Sequence, residues 1–261
     1  MLTDSHAHLD FPEFEGQIDA VLERAAQAGV TRIVTIGATL ESSRKALEIA
    51  EKHPQIYAAV GIHPGYAHET DPADLDGLRE VAAHPKVVAI GETGLDYYRL
   101  PETGVAEIKA AQARFLTAQL ELAAERGLNV CIHQRGECFE ETLALMEPFG
   151  GKFRAVFHCF GGSPADARRL VALGHLISFT GIVTFKNGHL MQSCAASIPS
   201  GSYMVETDSP YLAPVPFRGK PCEPAFTRQT AEKIADLRGE PLERVAAETE
   251  AAASAFFRFA S

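Results

Sequence analysis

The sequence predicts a (β/α)8 barrel, and three observations carry that prediction. Short apolar segments rich in β-branched residues alternate eight times with stretches of helical periodicity, the pattern of strands buried on both faces. The length, 261 residues, suits such a barrel, which takes about 250. Neither G-x-G-x-x-G nor G-x-x-x-x-G-K-[ST] occurs, so no nucleotide-binding signature supports an open doubly wound sheet instead. No low-complexity linker divides the chain, and one structural unit over residues 1–261 is expected.

The elements follow in order. A first strand ends at His8. Residues 15–28 form a helix with Ile18, Val21, Leu22 and Ala25 on one face, closed by Gly29. A strand over 31–37 and a helix over 40–53, ended by Pro54, come next. The third strand spans 56–63. The third helix spans 72–83, with Asp71 as its cap and Pro72 at its first position. Strand four covers 87–92 and a long helix 105–126, stopped by Gly127. Strand five covers 129–133 and its helix 139–148. Strand six covers 154–158, with a helix over 164–173. Strand seven covers 176–180, followed by a shorter helix over 190–196. Strand eight covers 202–208. The Pro-rich stretch 210–224 reads as the loop after it, and helices over 225–237 and 242–257 close the chain.

Composition narrows the function. Hydrophobic content of 46% and charged content of 22% are ordinary for a globular protein with a sizeable core. A net charge of −10 argues against a broad basic surface that tracks nucleic-acid backbone. It leaves room for a nuclease whose bound cations supply local positive charge. The five cysteines, Cys131, Cys138, Cys159, Cys194 and Cys222, are odd in number and lack a C-x-x-C pair. No disulfide framework is expected, and a reducing compartment fits. No basic flank precedes a long apolar run, and no apolar stretch is long enough to span a membrane. A cytoplasmic protein without a membrane partner is the expectation.

The chemistry gathers at strand ends. His6 and His8 close strand one, Glu92 strand four, His133 strand five, His158 strand six and Asp208 strand eight. His6 and His8, two apart on a strand, share a face and can grip one ion, although a lone His-x-His pair also occurs by chance. Any one of the six could be a satisfied polar residue at a sheet edge. In this architecture, however, the C-terminal strand ends converge on the rim where active sites sit. Six ligands exceed what one four-coordinate site with an open position needs. They suit two divalent ions about 3.5–4 Å apart with a bridging carboxylate. Imidazoles favour Zn, Fe, Co, Ni or Cu, and the carboxylates admit Mn and Mg.

Several segments together resemble the TatD family, a branch of the metal-dependent amidohydrolase superfamily. They are Thr3-Asp4-Ser5-His6-Ala7-His8-Leu9-Asp10, Gly61-Ile62-His63-Pro64, Gly91-Glu92-Thr93-Gly94-Leu95-Asp96-Tyr97-Tyr98, Ile132-His133-Gln134-Arg135, Phe157-His158-Cys159-Phe160 and Glu206-Thr207-Asp208-Ser209-Pro210-Tyr211-Leu212-Ala213-Pro214. The resemblance implies a metal-dependent deoxyribonuclease, typically a 3′-5′ exonuclease, with DNA ends or single-stranded DNA as substrate and no obligate protein partner. It implies a first metal held by His6, His8, Glu92 and Asp208, and a second, bridged by Glu92, completed by His133 and His158. These are the six residues reached from the strand ends.

The chain departs from the family pattern at Gln134, where Ser or Thr is usual, at Cys222, near an expected Asn, and at Ala252, near another. None of these positions is a ligand; they bear on substrate preference and loop structure.

The expected chemistry is attack on phosphorus by a metal-activated water, with Glu92 and Asp208 as the catalytic carboxylates and Asp208 taking the proton. His63 either contacts substrate phosphate, donates a proton, or is structural. Arg135 either grips phosphate with its guanidinium fork or makes a surface salt bridge; Arg218 and Lys220 are weaker candidates. Asp4, on the face of His6, is expected to orient that ligand. Asp10, Asp96 and Tyr97 are read as possible cavity lining without a catalytic role. His53, His68, His84, His175 and His189 are given no chemistry. One alternative keeps the metals and takes a small ester, lactone, amide or phosphomonoester. Another is a silent barrel used as a binding partner, disfavoured because unpaired buried carboxylates and imidazoles are costly.

Overall fold

The computed structural model describes residues 1–259. Eight parallel strands run in sequence order around the barrel: β1 (Leu2–Ala7), β2 (Val30–Ile36), β3 (Ile56–Val60), β4 (Val87–Asp96), β5 (Asn129–Arg135), β6 (Ala155–Phe157), β7 (Leu176–Phe179) and β8 (Tyr203–Val205). Residues just past β8 close the ring against β1. Asp208 N donates to His6 O at 2.8 Å, and His8 N donates to Ser209 O at 2.8 Å. Outside the strands lie α1 (Ile18–Gln27), α2 (Leu40–Lys52), α3 (Asp74–Val81), α4 (Val105–Arg126), α5 (Phe139–Met146), α6 (Pro164–Ala172), α7 (His189–Ser197), α8 (Thr227–Arg238) and α9 (Leu242–Phe257).

Local chemistry sets several boundaries. Thr39 and Ser42 form a reciprocal cap for α2, and Ser163 and Asp166 do the same for α6. Helix α1 starts later than its periodicity suggests, because Pro12–Phe14 form a separate 3-10 turn before it. Asp71 does not cap α3. Its carboxylate accepts from Ala73 N and its carbonyl from Asp74 N, both at 2.9 Å, so residues 71–73 make a turn and the helix begins at Asp74. Strand β8 is shorter than expected because the chain turns out of strand geometry, reaching φ 59° at Asp208.

Strand β4 runs four residues beyond its expected end at Glu92, and it does so beside β5, pairing Gly94 with His133 and Asp96 with Arg135. Gly94 makes this possible. Its φ is 148°, and a Cβ there would stand 1.9 Å from the His133 carbonyl oxygen. The extension brings a second carboxylate, Asp96, up to the rim.

Apolar side chains fill the barrel and the layer between strands and helices. Val34, Ile36, Val88, Cys131, Val156, Leu176 and Met204 pack with Phe256 and Phe257 of α9, all buried. Asn129 Nδ2 of β5 donates to Phe256 O at 2.6 Å, tying α9 to the barrel. Burying each phenyl ring contributes roughly 2–3 kcal/mol. All five cysteines are buried and unpaired. No helix among the described residues is long and apolar enough to cross a membrane.

Candidate metal centre

Five of the six residues, His8, Glu92, His133, His158 and Asp208, line one cavity of about 440 Å3 together with Phe11, His63, Tyr66, Arg135, Cys159, Tyr211 and Leu212, and His6 lies buried against Glu92 and Asp208. Glu92 stands at the cavity floor with its two oxygens facing different partners. Oε2 lies 3.6 Å from His6 Nε2 and 3.7 Å from His8 Nε2. Oε1 lies 2.7 Å from His133 Nδ1 and 2.6 Å from His158 Nε2. Asp208 Oδ1 completes the first set, 3.6 Å from His6 Nε2 and 3.4 Å from His8 Nε2. One carboxylate therefore joins two groups of donors.

These residues suit a cation. Neither ring nitrogen of His6 has a hydrogen-bond partner, although the residue is buried, and an orphaned buried polar group is costly. The Nε2-to-oxygen gaps of 3.4–3.7 Å around His6 and His8 are long for hydrogen bonds. They resemble the edge of about 3.4 Å that metal bonds of about 2.1 Å subtend in a tetrahedron. His6, His8 and Asp208 carry donor atoms all within 4.8 Å of one another.

Outside this ring, other groups fix which nitrogen of each imidazole faces inward. His8 Nδ1 lies 3.3 Å from Ile36 O, leaving Nε2 to the cavity. His133 Nε2 lies 3.2 Å from Asp96 Oδ2, leaving Nδ1. His158 Nδ1 faces Glu206 Oε1 at 3.6 Å, leaving Nε2. A carboxylate or carbonyl behind a histidine sets its tautomer and raises its basicity. Asp96 and Glu206 thus have roles that sequence reading missed. The signal available was proximity in sequence: Asp96 lies four residues beyond Glu92 on one strand, and Glu206 two before Asp208.

His63 belongs to the same cluster by distance, 3.7 Å from Glu92 Oε1 and 3.3 Å from His133 Nδ1. Its chemistry differs. Gly65 N donates to His63 Nδ1 at 2.9 Å, so a neutral ring carries its proton on Nε2 and presents a donor to the cavity rather than a lone pair.

Asp4 corrects an expectation. Its carboxylate does not reach the His6 ring. It accepts from Thr207 N (2.9 Å) and Thr207 Oγ1 (2.6 Å), and more distantly from His6 N (3.3 Å). It therefore holds the backbone of the turn that carries Asp208. Arg135 lines the cavity, and its Nη1 donates to Gln134 O at 3.0 Å; no salt bridge involves it among the described residues. Arg218 lies over the Phe185 ring at 3.8 Å, outside the cavity lining. Gln134 Nε2 donates to Gly136 O at 2.9 Å, while Cys222 is buried with its N donating to Pro210 O at 2.9 Å.

Charge in the cluster follows from burial and pairing. Burial alone would raise the Asp208 carboxyl, but the hydrogen bond with His8 and the charges of His6, His158 and His8 bring it down to about 2. Burial likewise opposes ionisation of Glu92, and His158, His63 and His133 outweigh it, holding the group well below its ordinary value. His158 is raised despite its burial by Glu92 and Glu206, and His8 by Asp208 and Glu92. Burial dominates at His63 and lowers it to about 4.

A parallel eight-stranded barrel with histidines and carboxylates collected at its C-terminal rim defines the class, a barrel hydrolase that works with metal. Comparison with known proteins then places the chain. Residues 3–258 match the family model described as TatD related DNase. The chain is 37% identical over 260 residues to the metal-dependent hydrolase YabD of Bacillus subtilis, covering 99% of both chains. It is 34% identical over 253 residues to the 3'-5' ssDNA/RNA exonuclease TatD of Enterobacter lignolyticus, covering 95% of both. The crystal structure of the TatD homologue YjjV of Escherichia coli superimposes with a TM-score of 0.91 at 31% identity, covering 98% of each chain. The chain belongs to the TatD family of metal-dependent hydrolases.

Proposed function

We propose that this protein is a two-metal phosphodiesterase that shortens single-stranded nucleic acid from its 3′ end. The observation that carries the reading is Glu92, whose two oxygens face separate sets of imidazoles beneath an open cavity. The exonuclease name borne by the Enterobacter relative supports the choice of substrate. His6, His8, Asp208 and Glu92 would hold one ion, and Glu92, His133 and His158 would hold the other. When bound, divalent ions supply Lewis acidity at the phosphoryl oxygens and a water acidic enough to ionise near neutral pH.

The chain's own groups do the rest. Asp208, ionised throughout the working range and 15% exposed at the cavity, orients the attacking water and accepts its proton. His63 offers Nε2–H to a phosphate oxygen or to the leaving oxygen. Arg135, at the cavity wall, sets its guanidinium against the remaining non-bridging oxygen.

The test is turnover of a labelled single-stranded oligonucleotide by chelator-stripped protein supplied separately with magnesium, manganese or zinc. Metal-restored shortening from the 3′ end is expected, with loss of at least about 100-fold in His6→Ala while the variant stays folded. Stoichiometric metal binding without shortening under any metal would discard nucleic acid as substrate and leave a small phosphoester or lactone hydrolase. Full activity in His6→Ala would remove the ligand assignment.

A further inference from the structure

The cavity over Glu92 and Asp208 opens between two tyrosines that the fold leaves in solvent. Tyr66 is 46% exposed and Tyr211 54% exposed, yet both line the cavity. They come from different parts of the chain, Tyr66 from the turn just after His63 and Tyr211 from the loop after β8. Each ring is tied back to an imidazole of the site. Tyr66 meets His63 edge-on at 6.1 Å. Tyr211 meets Phe11 edge-on at 5.8 Å, and Phe11 lies 5.1 Å from the His8 ring. The mouth of the cavity over the carboxylates therefore carries two exposed aromatic rings.

Apart from the ions the centre would hold, the protein around the cavity offers little positive charge to a polyanion. The chain carries a net charge of −10, and among the described residues the cavity lining includes Arg135 and no lysine. The adjoining groove, about 1130 Å3, is lined by Glu137, Glu140, Glu141 and Asp166 along with Arg135. Binding by release of many counterions needs many cationic contacts to phosphate. Stacking of bases on aromatic rings needs none and tolerates any base. A cavity of about 440 Å3 has room for one nucleotide unit.

We propose that Tyr66 and Tyr211 are stacking platforms for the bases at a single-stranded end, and that stacking rather than phosphate charge holds the strand over Glu92 and Asp208. This rests on the nuclease reading above and goes beyond it by assigning the determinant of strand preference. Bases at a paired end remain in their own stack, so a blunt duplex forfeits these contacts. The two tyrosines touch substrate without taking part in bond cleavage, and their loss acts on binding.

The experiment measures KM and kcat for 3′ shortening by wild type, Tyr66→Leu, Tyr211→Leu, and the Phe variants at both positions. It uses two oligonucleotides, one intact and one carrying abasic residues at its last two positions. Each Leu variant is expected to raise KM on the intact strand about tenfold with kcat nearly unchanged, and each Phe variant to match wild type. On the abasic end all five proteins should share one raised KM. Wild-type KM should depend weakly on salt, with a log–log slope of magnitude near about 1, because only one or two phosphates are gripped. Leu variants with wild-type KM would overturn the proposal, as would Phe variants as poor as Leu, equal losses on intact and abasic ends, or a salt slope of magnitude about 3 or more. If wild type shortens no oligonucleotide, the nuclease reading falls and this proposal with it. If wild type is active and the Leu variants match it, this proposal alone falls.

Discussion

Glu206 and Asp208 lie two residues apart, yet only Asp208 faces the cavity. Glu206 is buried behind His158, accepting from Cys159 N at 2.7 Å and from Ser5 Oγ at 3.3 Å. Burial works against its ionisation, and His158 and His6 keep its carboxyl below the ordinary value nonetheless. A charged group in that position steadies the His158 tautomer, so Glu206→Gln should weaken metal affinity by about 10–100-fold without unfolding the protein. Calorimetric titration of the stripped protein with zinc or manganese measures this. Unchanged affinity would reduce Glu206 to a support for the Cys159 backbone. Asp4 acts on the same turn from the other side. By binding Thr207 through both N–H and hydroxyl, with Thr207 Oγ1 in turn accepting from Ser209 N at 3.2 Å, it holds Asp208 at its left-handed φ of 59°. Asp96 shows why single positions mislead: a half-exposed acid after a strand looks like solvent-facing polarity until its distance of 3.2 Å to His133 Nε2 is known.

Strand β4 is the element on which the site depends most. It brings Glu92 to the floor and Asp96 to the rim, and it passes β5 more closely than a side chain at position 94 would allow. Gly94→Ala should therefore cost roughly 3 kcal/mol, through both the positive φ and the collision with the His133 carbonyl. Gly161, with nothing near its missing Cβ, supplies the control: Gly161→Ala should leave Tm unchanged. Thermal unfolding of the two variants side by side decides it, and equal Tm values would show that β4 and β5 can separate without penalty. The helical elements were more legible than the strand ends. Their boundaries follow local caps and stops, such as Ser163 with Asp166 and the glycine at 127. Where they were misjudged, at Asp71 and before Ile18, turns had taken the place of the first helical turn, one containing Pro72 and the other following the 3-10 turn at Pro12–Phe14.

At the scale of the whole molecule, the cluster makes stability depend on pH in opposite senses with and without metal. In stripped protein His8 and His158 have raised folded pKa values, so protonation stabilises the fold fully below the unfolded value near 6.5, and that stability is lost as pH rises through the folded values. His6 and His63 are lowered by burial; they penalise the fold only below about 6.5 and add no slope above it. Metal binding needs neutral imidazoles, so it strengthens as pH rises. Above about pH 6.5 the Tm of stripped protein should fall, while the stabilisation gained on adding metal should grow. Calorimetric scans with and without metal across that range test this, and parallel curves would mean the histidines are not charged in the stripped fold. The alternation of eight apolar segments with amphipathic ones, and the choice of His6, His8, Glu92, His133, His158 and Asp208 as residues near the C-terminal ends of strands, were legible in the sequence alone, because period and approximate position along a strand are local properties, although β4 and β5 run on past Glu92 and His133. Which oxygen of Glu92 faces which imidazoles, which nitrogen each ring turns inward, the partnership of Asp4 with Thr207, and the meeting of Tyr66 with Tyr211 at one mouth were decided only by the tertiary structure. Each joins groups from elements far apart in the chain, and their distances are set when hydrogen bonds from Asp208 and His8 close the barrel across β8 and β1.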